Sequence, residues 1–446
     1  MSTARQGASV LATRLSQIAL ALILSVIVNR LIGPENRGLL ELLTTIPVLI
    51  ANTTNLGMGN ACLYFLGKKI YPERQIIANA FSSTVLVSGI MILLLCTAYL
   101  AVPSSIFEGV SAKFFLIALA MIPLLLMSKV FNYILLGKGK LYLLNRLQIL
   151  SSILNAALVL VLVFWLRMDV TGALLAILAT NVLITGVYLY VAIEGGGLSL
   201  TFSWPFFREA LRFGIIPFLA LAVMNLIFRS DVFLIKHFLS DTELGYYGLG
   251  VSLCERIWIL PESIGLVILA KAAHAMGDDS VASTARVCRL TLWLTVTGSM
   301  LLFVLAPFLI PALYGAPYAP AVLPLQILLP GIAMIAVFLV LHSDLAGRGE
   351  AKCTLYVFAV FLVVNVLLNL FLIPRLGIAG SAFASSVSYA GGAFTLAVAY
   401  ARKYRISVGD LFLVNKEDWR QIIAPLLRKT LGSVLPMRWA IKIIGE

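Results

Sequence analysis

Residues 290–343 read LTLWLTVTGSMLLFVLAPFLIPALYGAPYAPAVLPLQILLPGIAMIAVFLVLHS, without a single Asp, Glu, Lys or Arg. A helix needs about 20 apolar residues to cross a bilayer core. The run is therefore too long for one span, and it carries Pro307, Pro311, Gly315, Pro317 and Pro320 at its middle. Proline and glycine stop helices, so the stretch divides into two spanning helices around a turn at Tyr314-Gly315-Ala316-Pro317.

Outward from that stretch the pattern repeats. Uncharged runs occupy 15–29, 42–67, 75–107, 114–128, 147–166, 170–193, 213–228, 353–374 and 376–401, and 244–270 is equally apolar except for Glu255, Arg256 and Glu262. The reading is an all-α integral membrane protein with about twelve transmembrane helices. Composition agrees: 61% hydrophobic and 12% charged residues fall well outside the soluble range, where about a quarter of positions are charged. The roughly ten-residue alternation of a membrane barrel is missing. The first residues run into a long span without a small-residue cleavage site, so the expectation is a retained first helix.

The net charge of +13 has to be explained by the membrane rather than by nucleic acid, because the charges bunch between the apolar runs. Basic short loops stay cytoplasmic. One alternate set of loops holds Arg5, Lys68, Lys69, Arg74, Lys138, Lys140, Arg146, Arg208, Arg212, Lys271, Arg286, Arg289, Arg348 and Lys352, and the tail after Tyr400 adds nine more. The other set holds only Arg30, Arg37, Lys113, Arg167, Lys236 and Arg375. Both termini are thus expected in the cytoplasm. Four basic residues remain inside spans: Arg14, Lys129, Arg229 and Arg256. The five cysteines have no paired spacing and the three histidines are scattered, so neither a metal centre nor a hydrolytic triad is implied, and no cofactor is called for.

Sliding the chain on itself by 208 to 210 positions brings Leu136-Gly137-Lys138-Gly139 onto Ala346-Gly347-Arg348-Gly349 and Asn155 onto Asn365. The same shift brings Arg167-Met168-Asp169 through Ala173 onto Arg375-Leu376-Gly377 through Ser381, and Leu31-Ile32-Gly33-Pro34-Glu35 onto Leu239-Ser240-Asp241-Thr242-Glu243. Six spans per repeat is an even number, so the halves face the same way. They form two parallel six-helix bundles around a central cavity, with expected limits of 1–200 and 201–402 and a basic cytoplasmic tail at 403–446.

These segments carry a resemblance. Arg30-Leu31-Ile32-Gly33-Pro34-Glu35-Asn36-Arg37-Gly38, Asn55-Leu56-Gly57-Met58-Gly59-Asn60 with Tyr64-Phe65-Leu66-Gly67, Arg229-Ser230-Asp231 followed by Gly245-Tyr246-Tyr247, Leu345-Ala346-Gly347-Arg348-Gly349, and Asn365 and Asn369 leading to Ile373-Pro374-Arg375-Leu376-Gly377-Ile378-Ala379-Gly380-Ser381-Ala382 follow one another in order up to about Lys403. The chain resembles the polysaccharide-transporter (oligosaccharide flippase) branch of the multidrug/oligosaccharidyl-lipid/polysaccharide exporter superfamily. The resemblance implies a flippase, not an enzyme, carrying polyprenyl-diphosphate-linked oligosaccharide across the bacterial cytoplasmic (inner) membrane. It would serve O-antigen or exopolysaccharide biosynthesis, with membrane lipids and polysaccharide polymerase machinery as partners.

A diphosphate crossing the membrane interior needs cations in place of its hydration, which makes Arg14, Lys129, Arg229 and Arg256 its candidate ligands. Each has a plainer reading: Arg14 snorkels to the interface, Lys129 sits near the cytoplasmic end, and Arg229 or Arg256 neutralises Asp231, Glu255 or Glu262. Thr45, Asn52 and Asn55 form a neutral stripe suited to sugar hydroxyls, or else a helix contact. Asp231, Glu255, Glu262 and Asp344 are candidates for coupling to H+ or Na+, Asp344 alternatively pairing with Arg348. In the tail, Arg402, Lys403, Arg405, Arg428, Lys429, Arg438 and Lys442 interleave with leucines as a surface amphipath, or simply anchor the last helix. A cation-coupled multidrug antiporter shares the layout, but four basic side chains in spans suit an anion better. A membrane glycosyltransferase or polymerase would need a large outward loop or a carboxylate site, and all outward loops are short.

Overall fold

The computed structural model describes residues 3–101, 107–194, 201–274, 278–415 and 418; the side chains of 3–19, 217, 259–260, 262–263, 265–274 and 278–279 fall outside that description. In chain order the helices are α1 (Thr3–Thr53), α2 (Met58–Lys68), α3 (Glu73–Ala101), α4 (Ala112–Gly137), α5 (Leu141–Val159), α6 (Asp169–Ile193), α7 (Trp204–Phe238), α8 (Asp241–His274), α9 (Asp278–Tyr314), α10 (Val322–Gly347), α11 (Ala351–Tyr404) and the short α12 (Gly409–Phe412). A π-helical turn, Leu160–Trp165, prolongs α5, and a 3-10 turn, Ala316–Ala321, leads into α10. No strand occurs among the described residues.

Eight helices are long and apolar enough to cross a membrane, or nine when Leu20–Thr53 and Met58–Lys68, bent by 44°, are taken as one span. Two of the longest elements are pairs. Gly33 (φ 77°) breaks α1 into two arms and Gly377 (φ 60°) does the same to α11, since only glycine adopts a positive φ there without strain. Pro34 and the preceding Pro374 reinforce each break. With both arms of α1 and α11 counted, α2 continuing the second arm of α1, and the charge-bearing α8 included, the chain makes twelve passes. The division of 290–343 falls where the prolines place it: α9 ends at Tyr314, Gly315 turns at φ 100°, and α10 begins at Val322.

The internal repeat is visible in the backbone. Both α4 and α10 end on a glycine and close with the same turn, in which Gly139 (φ 74°) and Gly349 (φ 78°) occupy the left-handed region. Asp169 (φ 45°) and Gly377 lie at equivalent breaks. A Cβ at Gly172 would crowd the carbonyl of Leu162, and one at Gly380 the carbonyl of Leu372; the glycines lie 208 residues apart and the leucines 210, within the repeat offset. Exposed apolar side chains such as Leu93, Leu100, Leu116, Phe164, Trp165, Met300, Phe308 and Leu367 cover the perimeter, as a lipid-facing surface requires.

The halves touch at two levels. At the end carrying the Gly33 break, Gly38 of α1 packs on the backbone of Asp241 and Gly245 of α8 on that of Pro34. Arg30 donates to the carbonyls of Leu313 and Ala312, and the Tyr318 hydroxyl donates to the carbonyl of Asn29 at 3.0 Å. Towards the other end, where Lys68, Lys138, Arg348 and Lys352 gather, Gly57 packs directly on Gly214 and Tyr64 stacks on Phe213 at 4.3 Å. A methyl group at Gly38 would overlap the Asp241 carbonyl oxygen, which is backbone and cannot swing aside. Gly38→Ala is expected to part α1 from α8 and cost about 1–3 kcal/mol. In a cysteine-free background, a cysteine in place of the buried Asn29 should then label faster with a membrane-impermeant maleimide; unchanged labelling and unchanged melting would refute this closure.

Candidate functional site

Between the two contact levels, charged side chains from α1, α7 and α8 converge at the boundary of the halves. Arg229 Nη2 of α7 reaches both oxygens of Glu255 on α8, at 2.9 and 3.0 Å. Its Nη1 lies 3.9 Å from Glu41 on the second arm of α1. Glu41 in turn pairs with Arg37 at 2.6 Å, one helical turn away. The Glu41 side chain lies over Gly248 of α8, where a Cβ would press on it; that glycine lets the carboxylate cross the boundary.

Arg256 completes the group, and it differs from the rest. Among the described residues its Nη2 donates to the carbonyl of Ala21 at 3.5 Å, and no carboxylate stands within ion-pair distance of it. Among the described residues of this group, Arg37 and Arg229 share the two glutamates Glu41 and Glu255, and Arg256 has no ion-pair partner. The Nε atoms of Arg37 and Arg256 are buried without a hydrogen-bond partner. A buried donor left unpaired costs about 1–3 kcal/mol, so both stand ready for an acceptor.

Asp231, two residues from Arg229, points into the second half instead. It is 1% exposed and accepts hydrogen bonds from the Tyr247 hydroxyl, from Ser385 Oγ at 3.3 Å and from the Val232 amide at 2.9 Å. The network runs on: Ser230 meets Asn365 at 3.1 Å, Asn365 meets Asn369 at 3.1 Å, and Ser381 donates to Asn369 at 2.7 Å. Asp231 has no cation in contact.

The remaining sequence candidates are placed as follows. Asp344 is fully buried and closed off by Arg348 at 2.7 Å, Thr284 at 3.0 Å and Tyr400 at 2.8 Å, the interfacial pair its i,i+4 spacing suggested. Asn52 donates to Asn225 across the boundary at 2.6 Å, Asn55 accepts from the Gly57 amide at 2.9 Å where α1 gives way to α2, and Thr45 is buried. The first two act as a helix contact and a turn cap. Lys129 is partly buried on α4 and forms no ion pair with the Arg229 group. The side chains of Arg14 and Glu262 lie outside the described residues. Arg37 and Glu41 were missed: Arg37 follows the Gly33-Pro34 break and reads as a loop cation. Its i,i+4 spacing to Glu41 was the available signal.

Of the tail, the described part is anchored to α9. Asp418 is buried between Arg286 at 3.1 Å and Arg289 at 2.7 Å, and Trp293 donates to the Phe412 carbonyl. At the basic surface Lys140 and Lys138 hold the exposed Glu194 carboxyl below the usual carboxylate range.

A twelve-pass helical protein of two similar halves with a charged seam between them shares its fold with solved membrane transporters. The lipid II flippase MurJ in an inward closed conformation superposes with a TM-score of 0.73 at 14% identity, covering 96% of this chain and 94% of that one. An inward-facing multidrug resistance MATE family transporter of the MOP superfamily gives 0.70 at 16% identity, with 90% and 98% covered. An outward-facing one gives 0.57 at 16%, with 90% and 95% covered. By sequence, residues 4–269 match the family model described as polysaccharide biosynthesis protein, and the chain belongs to that family. Residues 218–371 also match the MatE model. No curated protein matches the chain.

Proposed function

We propose that the protein is a flippase for a polyprenyl-diphosphate-linked oligosaccharide in the bacterial cytoplasmic membrane, both termini inside, feeding surface polysaccharide assembly. The bundles 1–200 and 201–402 rock about the two contact levels to expose the seam alternately. The observation that carries this reading is Arg256, a cation at the seam that forms no ion pair among the described residues and has an unpartnered buried Nε. An excess cation attracts a diphosphate and repels the positively charged substrate of a drug antiporter. Arg229, held by Glu255 and Glu41, supplies a second guanidinium when the ligand competes for it.

Ion coupling in this scheme falls to Asp231. Glu255 and Asp344 are already paired with arginines, whereas the Asp231 carboxylate, hydrogen-bonded to two hydroxyls and a backbone N–H, is the group that would take up a proton. The tail residues Arg428, Lys429, Arg438 and Lys442 lie outside the described residues. The test is reconstitution: proteoliposomes with a fluorescent polyprenyl-diphosphate-linked disaccharide should show protein-dependent exchange between leaflets. Transport of a cationic dye with no movement of the glycolipid would overturn the reading in favour of an antiporter.

A further inference from the structure

The aromatic side chains beside the charged seam have no part in the diphosphate site. Trp258 lies three residues beyond Glu255 on α8, on the same helical stripe. Its ring packs against Phe228, the neighbour of Arg229, with centroids 4.6 Å apart, and against the buried Tyr389 of α11 at 6.4 Å. Phe228 and Tyr389 meet edge to face at 5.2 Å, so the indole is backed by two rings and held in place. Trp258 is nevertheless only partly buried, and its Nε1–H is a buried donor with no partner. Buried indole N–H groups ordinarily find an acceptor, and this one has none while its ring packs on Phe228, next to Arg229.

We infer that Trp258, braced by Phe228 and Tyr389, is the platform for the sugar ring nearest the diphosphate, its Nε1–H donating to a ring hydroxyl. This rests on the diphosphate reading above and extends it to the sugar. The geometry suits one ligand. In such a lipid the first sugar is bonded directly to the outer phosphate; Trp258 stands three residues, about 4.5 Å of helix rise, beyond Glu255, the partner of Arg229, and packs on Phe228 beside Arg229, so a phosphate at Arg229 brings that ring to Trp258. A pyranose offers an apolar C–H face to the indole and hydroxyl acceptors at its rim. The neutral stripe of Asn52 and Asn55 is already spent on Asn225 and Gly57, whereas the Trp258 N–H is unpaired.

The experiment measures, in nanodiscs, the affinity of the full chain for two probes: a short-chain polyprenyl-diphosphate-linked disaccharide and the same polyprenyl diphosphate without sugar. The readout is the ratio of the two affinities within each protein, which cancels any loss of folded material. Wild type should prefer the glycosylated probe by tenfold or more; Trp258→Leu should bring the ratio close to one, and Trp258→Phe, which keeps a face and lacks the N–H, should fall between. Arg256→Gln should weaken both probes and preserve the ratio. If Trp258→Leu keeps the wild-type ratio, or wild type shows no preference, the sugar platform is refuted while the diphosphate site stands on the Arg256→Gln result. If Arg256→Gln leaves both affinities untouched, it is the diphosphate reading that fails.

Discussion

Arg256→Gln is expected to slow leaflet exchange of the diphosphate-linked glycolipid about tenfold to a hundredfold, the loss of one charge-assisted hydrogen bond of about 1.5–3 kcal/mol to the translocating phosphate. The fold should survive, because among the described residues no carboxylate forms an ion pair with Arg256 and its Nε is already without a partner. Its removal therefore strands nothing, and the melting temperature should hold or rise slightly. Arg256→Lys keeps the charge without the planar fork and should lie between wild type and Gln, since ammonium and guanidinium are not equivalent toward phosphate. Initial exchange rates in proteoliposomes, normalised to folded protein, decide the matter; wild-type exchange by Arg256→Gln removes the phosphate role of this residue.

Arg229 behaves differently, and the difference lies in stability. Arg229→Met leaves Glu255, and more distantly Glu41, facing each other at a seam removed from bulk water. Breaking a largely buried pair from one side costs about 3 kcal/mol. Removing the second charge as well should recover more than half of that loss, so Arg229→Met with Glu255→Gln is expected to melt close to wild type while Arg229→Met alone melts well below it. The contact of Arg229 with both oxygens of Glu255 makes it a structural group as well as a proposed ligand-binding one. Equal melting of the single and double variants would show that the pair does not carry the load given to it here.

Much of the architecture was legible in the residues. The proline-rich centre of 290–343, the left-handed glycines at 139 and 349, and the break at Gly377 are local features: the constraint acts within a few residues, so sequence and backbone agree. The same holds for Asp344 and Arg348, which meet because i and i+4 share a helix face. Arg37 and Glu41 obey that rule too and were hidden only by the break four residues earlier.

The partner of each intramembrane charge was not legible. Arg229 had Asp231, Glu255 and Glu262 as formal choices, and 26 residues separate it from the one it binds. Trp258 was one of six tryptophans with nothing in its neighbourhood along the chain to single it out. The sequence by itself determined the spans, the repeat and the places where helices must stop, because hydropathy and backbone sterics are short-range and additive along the chain. Only the tertiary structure decided which cation is neutralised and which is left free. That choice depends on helix rotation and on separations of a few ångströms, over which Coulomb attraction and desolvation both change steeply.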